Sequence, residues 1–283
     1  MKRVRLLLRQ MVWEQKMFWR NSAAAVFTFV FPIIFLVIFS AINSDDLVGK
    51  DDVRVKFTQY YVPAIAVFGI ISACYTSLAF TLSIRRTQGI LKRKRGTPLT
   101  SATYLGGIVG NALVVAVSLT IVTLLIGVVA YDFTFPDVAA RLPKFALLIL
   151  VMSFCFTALG VLVSTFVPNE DAAPAMINVV LFPLVFISGT FGPIQTDSVL
   201  TKIAKCFPVW HAIQATTNVL NPLKSGALDW GYLLVLVLWG VGGAALAMKR
   251  FRWDPELTVR KPRGGRRRRA EQLPEERAAT SVS

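Results

Sequence analysis

The chain has 283 residues, of which 54% are hydrophobic and only 17% are charged, and its formal net charge is +15. Long stretches carry no charge at all, which excludes an ordinary soluble domain and predicts that lipid is the solvent for much of the chain. Because the basic residues flank the apolar runs, we interpret the positive charge as a membrane-orientation signal and not as a nucleic-acid-binding surface.

Residues 1–21 are predicted to form an amphipathic helix at the cytoplasmic face of the membrane. At about 100° per residue, basic and apolar side chains fall on opposite sides of this helix. The basic side contains Lys2, Arg5, Arg9, Lys16 and Arg20, and the apolar side contains Val4, Leu7, Leu8, Met11, Val12, Phe18 and Trp19. A helix of this kind either anchors the chain to lipid or docks a partner, and the pattern favours neither role.

Residues 22–250 contain six apolar runs, which we compare with the roughly 20 helical residues that cross a hydrocarbon core. The predicted spans are 22–42, 60–84, 104–131, 145–167, 172–194 and a shorter one at 231–248. The sequence therefore predicts an all-α polytopic membrane protein with six transmembrane helices. The first run is longer than the apolar region of a signal peptide and no clear cleavage site follows it, which favours an uncleaved span.

The region before the last span contains apolar stretches that are too short to cross a bilayer. Residues 199–204 and 207–219 are separated by proline and polar residues. We predict re-entrant external helices that are buried against protein. A solvated loop with a small amphipathic helix is the alternative, and the aromatic content of the region favours the re-entrant helices.

The distribution of basic residues predicts the orientation. Twenty-three of the 31 Lys and Arg residues fall in the N-terminal helix, in residues 85–95, or after the last span. The positive-inside rule then places both termini in the cytoplasm of a multi-pass protein of the cell membrane. Residues 251–283 are basic and polar, which predicts a disordered cytoplasmic tail that is attracted to anionic lipid.

No catalytic or metal-binding pattern occurs in the sequence. His211 is the only histidine and falls in the predicted last external loop, which excludes His pairs and disfavours a His-carboxylate metal site or a Ser-His-Asp triad. The sequence has no Walker A phosphate-binding loop, so a separate polypeptide must bind ATP if ATP drives the protein. The spans are predicted to contain no deeply placed charge, which disfavours an ion-coupled carrier. Asn111 and Asn178 are their most polar residues, and either interhelical hydrogen bonding or cargo contact explains them.

Three stretches resemble the permease subunits of type-2 ABC exporters, the group that contains daunorubicin-resistance, polysaccharide and lipid-linked sugar exporters. The first is 85–99, with a glycine, a basic cluster and Thr-Pro. The second is Glu-Asp-Ala-Ala-Pro at 170–174, which continues to Asn178, Phe182 and Pro183. The third is 186–193, followed by Phe-Pro at 207–208. The resemblance covers roughly residues 1–250 and includes the order of the spans.

The resemblance implies a transport subunit and not an enzyme. It implies that this chain binds no cofactor, that ATP and Mg²⁺ bind to a separate ABC ATPase subunit, and that a second permease copy or paralogue completes a dimer. The cargo would be a lipophilic or amphipathic drug, lipid or glycan, exported by alternating access. A non-transporting membrane anchor or assembly component is the alternative, and a membrane enzyme is disfavoured by the lack of catalytic residues.

The resemblance also implies roles for particular residues. The expected ATPase-coupling residues are Arg85, Arg86, Gln88, Gly89, Leu91, Arg93, Arg95 and Pro98. The expected re-entrant or external gate residues are Ser188, Gly189, Phe191, Pro193 and Pro208. Asn111 and Asn178 are candidate polar groups on the cargo path.

Overall fold

The computed structural model describes residues 2–43, 46–50, 53–90, 101–192 and 199–250. The elements in these ranges are α1 (Lys2–Arg20), α2 (Ser22–Ile42), β1 (Leu47–Lys50), β2 (Val53–Lys56), α3 (Phe57–Ile71), a π-helical turn (Ser72–Ser77), α4 (Leu78–Thr87), α5 (Ser101–Tyr131), α6 (Val138–Ser164), α7 (Ala173–Ile187), α8 (Val199–Ala204), α9 (Pro208–Leu220) and α10 (Trp230–Arg250).

The predicted all-α polytopic membrane fold is confirmed. Among the described residues, five helical segments are long and apolar enough to cross a membrane: α2, the continuous segment 57–87, α5, α6 and α10. The remaining predicted span, 172–194, corresponds to α7, which is apolar but only 15 residues long. A helix of this length rises about 22 Å, which is less than the hydrocarbon core. The chain turns away shortly after α7 at Gly189, whose φ is +82°.

A short β-hairpin between α2 and α3 is the one departure from the predicted helical fold among the described residues. Strands β1 and β2 are antiparallel, with Leu47 opposite Lys56 and Val48 opposite Val55. The sequence did carry a sign of it, because apolar and basic residues alternate from Val53 to Lys56. Two strands of four residues are too short for that alternation to stand out beside the long apolar runs.

The helix termini collect at two opposite ends of the bundle. At one end, the Arg250 guanidinium lies 4.1 Å from the ring centroid of Phe166, and Arg86 donates a hydrogen bond to the carbonyl oxygen of Val167. The end of α4, the link from α6 to α7 and the end of α10 therefore meet there, together with α1, and we call this the basic end. The opposite end contains the hairpin, α8 and α9, and we call it the hairpin end.

Helix α3 lies at the centre of the bundle. Every one of its residues except Tyr60 is buried, and it contacts α2, α5, α6 and α9. Its sequence is apolar on all sides, which is typical of a helix with protein all around it. The α3 segment is thus held firmly, whereas α4 continues beyond the π-helical turn to the basic end.

Helices α8 and α9, the segments predicted to be re-entrant, lie at the hairpin end, between α7 and α10. Most of α9 is buried, and it contacts α3, α6 and α10. The Arg141 guanidinium binds the last carbonyls of α9 and the loop after it. It donates hydrogen bonds to the carbonyl oxygens of Val219 (3.0 Å), Asn221 (2.8 Å) and Lys224 (2.9 Å).

One buried charge lies just before the predicted start of a span. Helix α6 begins at Val138, seven residues before the predicted start of its span, and Arg141 in its first turn is only 6% exposed. The charge is tolerated because backbone carbonyls satisfy the guanidinium. Its acceptors lie more than 70 residues away in the chain, so the sequence contained no local indication of this contact.

Candidate transport groove and coupling end

A groove of about 900 Å³ lies between α1, α2, α4, α5 and α7. Along the central segment its lining extends from Phe68 through the π-helical turn to Ile90, so the groove reaches the basic end. None of the described residues from Phe186 to Gly192 lines it. The groove is therefore continuous with the basic end and stops short of the hairpin end.

The interior of the groove is apolar, with neutral hydrogen-bonding groups along it. The aromatic lining comprises Phe18, Phe27, Phe31, Phe68, Phe80 and Phe182, and the hydroxyl lining includes Ser72, Thr76, Ser77 and Thr81. Three of these hydroxyl groups belong to the π-helical turn, a local structure that is frequent at functional sites. A lining of this composition suits a molecule with a large apolar surface and a few polar atoms.

Two asparagines face the groove from separate helices. Asn111 of α5 and Asn178 of α7 both line it. The side-chain oxygen of Asn111 is buried and has no hydrogen-bond partner among the described residues. A buried acceptor without a partner costs about 1–3 kcal/mol, so a ligand or water that donates to this oxygen would be bound favourably.

The only charged residues that line the groove, within the described ranges, are Glu14 and Arg85 at the basic end. They form a bidentate ion pair, with nitrogen–oxygen distances of 2.9 and 2.7 Å. Arg85 also donates to the hydroxyl oxygen of Tyr104 at 2.9 Å, and Gln10 donates to Glu14 at 2.8 Å. Glu14 is only 3% exposed. The two charges neutralise each other and join α1, α4 and α5.

Arg86, near the end of α4, and Gln88, just after it, contact the link between α6 and α7. Arg86 donates to the carbonyl oxygen of Val167, and Gln88 donates to the carboxylate of Glu170 at 3.2 Å. Gly89 has a φ of +66°, a left-handed conformation that glycine adopts without steric cost and that ends the helix. The described part of this region ends at Ile90.

An aromatic cluster separates the groove from the hairpin end. The ring centroid of Phe191 lies 5.0 Å from that of Phe35, 5.8 Å from Phe39, 6.0 Å from Phe68 and 4.8 Å from Phe186. The Tyr60 hydroxyl holds the turn before Phe191 by donating to the carbonyl oxygen of Gly189 at 2.6 Å. Ser188 is buried in the same turn. Phe68 belongs to both the groove lining and this cluster, so the two are adjacent.

Comparison with known families covers most of this arrangement. The family described as ABC-2 type transporter matches residues 5–221. The chain belongs to the ABC-2 type transporter family. The matched region begins in α1 and ends just after α9, so it contains the groove, the ion pair at the basic end and the aromatic cluster.

Two relatives are similar in sequence to this ABC-2 chain. "Probable multidrug ABC transporter permease YbhR" of Escherichia coli is 26% identical over 217 residues, which are 74% of this chain and 57% of the relative. "Putative transport permease ycf38" of Porphyra purpurea is 24% identical over 227 residues, which are 78% of this chain and 75% of the relative. The chain spans little more than half the length of the bacterial relative that it matches.

The structure brings some of the sequence-predicted site residues of this ABC-2 protein together and separates others. Asn111, Asn178, Arg85 and Gln88 all line one groove. Ser188, Gly189 and Phe191 share the turn after α7, whereas Pro208 lies in the first turn of α9. The predicted residues outside the described ranges are Leu91, Arg93, Arg95, Pro98 and Pro193.

The sequence patterns missed Glu14, the partner of Arg85. It lies three residues after Met11 and four before Phe18, which places an acidic side chain within the apolar side of α1. That side is shared between two environments. Phe18 is buried in the bundle, whereas Val4 and Val12 are exposed. The sequence signal that could have identified Glu14 was an acidic residue within the otherwise apolar side of α1.

Proposed function

We propose that this chain is the membrane-spanning permease subunit of an ATP-driven exporter that moves a lipophilic or amphipathic cargo across the cell membrane by alternating access. The observation that carries the proposal is the groove, because its neutral, aromatic interior adjoins the end of α4, which leads in sequence into the basic segment 91–100. Family membership supports transport, and the relative named as a multidrug permease makes drug-like cargo the first class to test.

The energy source in this proposal is a separate ABC ATPase that binds ATP and Mg²⁺. The sequence of this chain lacks a Walker A loop. Both termini are cytoplasmic, so the basic end faces the ATPase. This orientation is supported by the position of α1 and the last turn of α10 at one end of the bundle, and by the excess of Lys and Arg in the same regions.

A second permease copy or a paralogue completes the cargo pathway. Phe27 of α2 and Val179 of α7 are exposed on elements that border the groove, and both are apolar. The aromatic cluster around Phe191 acts as the external gate in this scheme, and cargo leaves when the cluster separates. The exposed apolar side of α1 contacts membrane lipid, and its basic residues bind anionic headgroups.

The first experiment tests the ATPase partner. The chain is purified from its native membranes in mild detergent, and the co-purifying proteins are identified by mass spectrometry. We expect an ABC ATPase, and the reconstituted complex should move ethidium or a fluorescent phosphatidylethanolamine in an ATP-dependent manner. Absence of an ATPase, or hydrolysis without movement of either probe, would contradict the exporter and favour the membrane-anchor alternative.

Charge reversal of Arg93 and Arg95 is expected to abolish probe transport while leaving the protein inserted. Two arginine-to-glutamate changes place negative charge where the ATPase is proposed to dock, and like or unpaired charges at an interface cost several kcal/mol. The measurements are ATPase co-purification and transport. The same reversal at Arg268 and Arg269, in the C-terminal tail, is the matched control and should transport normally. Wild-type transport by the Arg93 and Arg95 variant would refute this docking site.

Replacement of Asn111 and Asn178 by leucine is expected to reduce transport about five-fold per position, since each removes a hydrogen bond of about 1 kcal/mol to polar atoms of the cargo. ATPase binding should stay unchanged. Asn43→Leu is the control. Asn43 directly follows α2, outside the groove lining, and in the described structure its side-chain amide donates to the carbonyl oxygen of Phe39. Unchanged transport of both probes by the double variant would remove these residues from the cargo path.

A further inference from the structure

We propose that three residues at the end of α4, Arg85, Arg86 and Gln88, transmit a movement of the following segment to two walls of the groove at once. We call these three residues the α4 yoke, and Glu14 is the positioning residue on α1. The proposal rests on the proposed transport function. It adds a mechanical role for an ion pair inside the permease.

Arg85 is the first arm of the α4 yoke and contacts α1. Arg85 contacts both carboxylate oxygens of Glu14 and the hydroxyl of Tyr104 at the start of α5. A bidentate guanidinium–carboxylate pair fixes orientation as well as distance. Because Glu14 is buried, it cannot exchange this partner for bulk water without moving α1. Helix α1 also supplies Met17 and Phe18 to the groove lining, so the arm reaches a wall of the groove.

The second arm of the α4 yoke consists of Arg86 and Gln88 and contacts the link between α6 and α7. Arg86 donates to the carbonyl oxygen of Val167, and Gln88 donates to the carboxylate of Glu170. Helix α7 begins three residues after Glu170, at Ala173, and lines the groove with Pro174, Asn178 and Phe182 among others. A displacement of the second arm is therefore passed over a short link to the opposite wall.

Helix geometry allows one helix end to serve both arms. Consecutive residues of an α-helix point about 100° apart, so adjacent arginines reach elements on different sides. The π-helical turn at Ser72–Ser77 precedes α4 and follows the fully packed α3. The π-helical turn interrupts the regular helix between these two helices, and such turns are frequent at functional sites, so we place the hinge of α4 there. Movement of the chain after Gly89 would then tilt α4 and carry α1 and α7 with it.

This arrangement separates two roles that the sequence pattern merged. Arg85 and Arg86 direct their guanidinium groups to residues of the permease itself. In the α4 yoke they act as positioning residues within the permease. Contact with the ATPase then falls to the residues after Gly89.

Distance measurement across the groove tests the α4 yoke. Spin labels are placed on cysteines introduced at Met17 and Val179, which are 46% and 69% exposed. Cys206 is replaced by serine, while Cys74 and Cys155 are buried and shielded from the label. The full chain is studied in lipid nanodiscs by pulsed electron resonance, first alone and then with the co-purified ATPase and ATP.

We expect a narrow distance distribution for the parent protein and a shift when ATPase and ATP are added. Arg85→Gln and Arg86→Gln should each broaden the distribution of the permease alone, and abolish the shift while the ATPase still binds. Lys202→Gln, an equal charge loss at an exposed position of α8, should behave as the parent. The charge-swapped pair Glu14→Arg with Arg85→Glu should narrow the distribution again, which a general folding defect would not allow.

The α4 yoke is overturned if Arg85→Gln and Arg86→Gln keep the parent distribution and the parent shift. If a single variant fails to insert, the charge-swapped pair decides the matter: an inserted pair with a broad distribution counts against the α4 yoke. A parent protein that recruits no ATPase contradicts the proposed function, and the distributions of the permease alone then decide the α4 yoke independently.

Discussion

Replacement of Arg141 by leucine is expected to lower the free energy of unfolding by about 3 kcal/mol or more. The guanidinium donates to three backbone carbonyls at the end of α9 and in the loop that follows. Hydrogen bonds from a charged donor contribute about 1.5–3 kcal/mol each, and carbonyls left without a donor in a buried site add their own desolvation cost. Leucine fills part of the space and replaces none of the donors.

The measurement is thermal unfolding of the purified full chain in detergent, followed by tryptophan fluorescence. Arg141→Lys is expected to fall between the parent and Arg141→Leu, because an ammonium keeps the charge but lacks the planar fork of donors. Lys202→Leu is the control, since Lys202 is an exposed basic residue on α8 at the same end of the bundle. Equal melting temperatures for Arg141→Leu and Lys202→Leu would show that the three contacts contribute little.

The effect of Arg141 extends beyond the loop that it binds. Helix α9 contacts the central helix α3, and it also contacts α7, which ends at the turn of Phe191. A loosened α9 would remove support from both sides of the aromatic cluster. If the protein is the proposed exporter, Arg141→Leu in the reconstituted complex should therefore leak probe without ATP. The α4 yoke variants, in contrast, should bind the ATPase without transporting.

The sequence was sufficient for the fold because the membrane leaves few alternatives. Backbone groups in lipid must be paired internally, so a run of about 20 apolar residues is a helix, and the order of such runs predicts the bundle. The weak points were local. Helix α7 is shorter than its apolar run because the chain turns at Gly189. The strands of the hairpin at 47–56 are too short for their alternating pattern to be recognised in the sequence.

The site was less predictable for a different reason. Asn111 and Asn178 stood out because polar residues are rare in apolar spans, and the structure places both in one groove. Glu14 and Arg141 did not stand out, because the role of each depends on a hydrogen bond to a residue more than 70 positions away in the chain. Charge and hydropathy patterns describe one segment at a time, whereas an ion pair or a capped helix end depends on which segments become neighbours.

Close helix packing gives the second large expected effect. Gly160 of α6 lies against the π-helical turn, and a Cβ added there would be 2.9 Å from the carbonyl oxygens of both Cys74 and Tyr75. These are backbone atoms and cannot rotate away as a side chain would. Alanine is normally about 1 kcal/mol better than glycine in a helix. At this position we expect the opposite sign, because the turn or α6 must shift.

Gly160→Ala is expected to lower the free energy of unfolding by about 1–3 kcal/mol, the usual cost of overpacking. Gly242→Ala on α10 is the matched control. Nothing lies within 4 Å of its added Cβ, so it should be neutral or stabilising by up to about 1 kcal/mol. Gly69→Ala should fall between them, because its added Cβ meets the Leu119 side chain, which can move. Thermal unfolding of the three variants measures the order.

If Gly160→Ala and Gly242→Ala shift stability in the same direction, the π-helical turn is not held by close contact with α6. If the expected order is observed, the proposed hinge packs firmly against α6. Transport by Gly160→Ala should then fall by a larger factor than its loss of stability accounts for, since Ser72 and Thr76 of that turn line the groove.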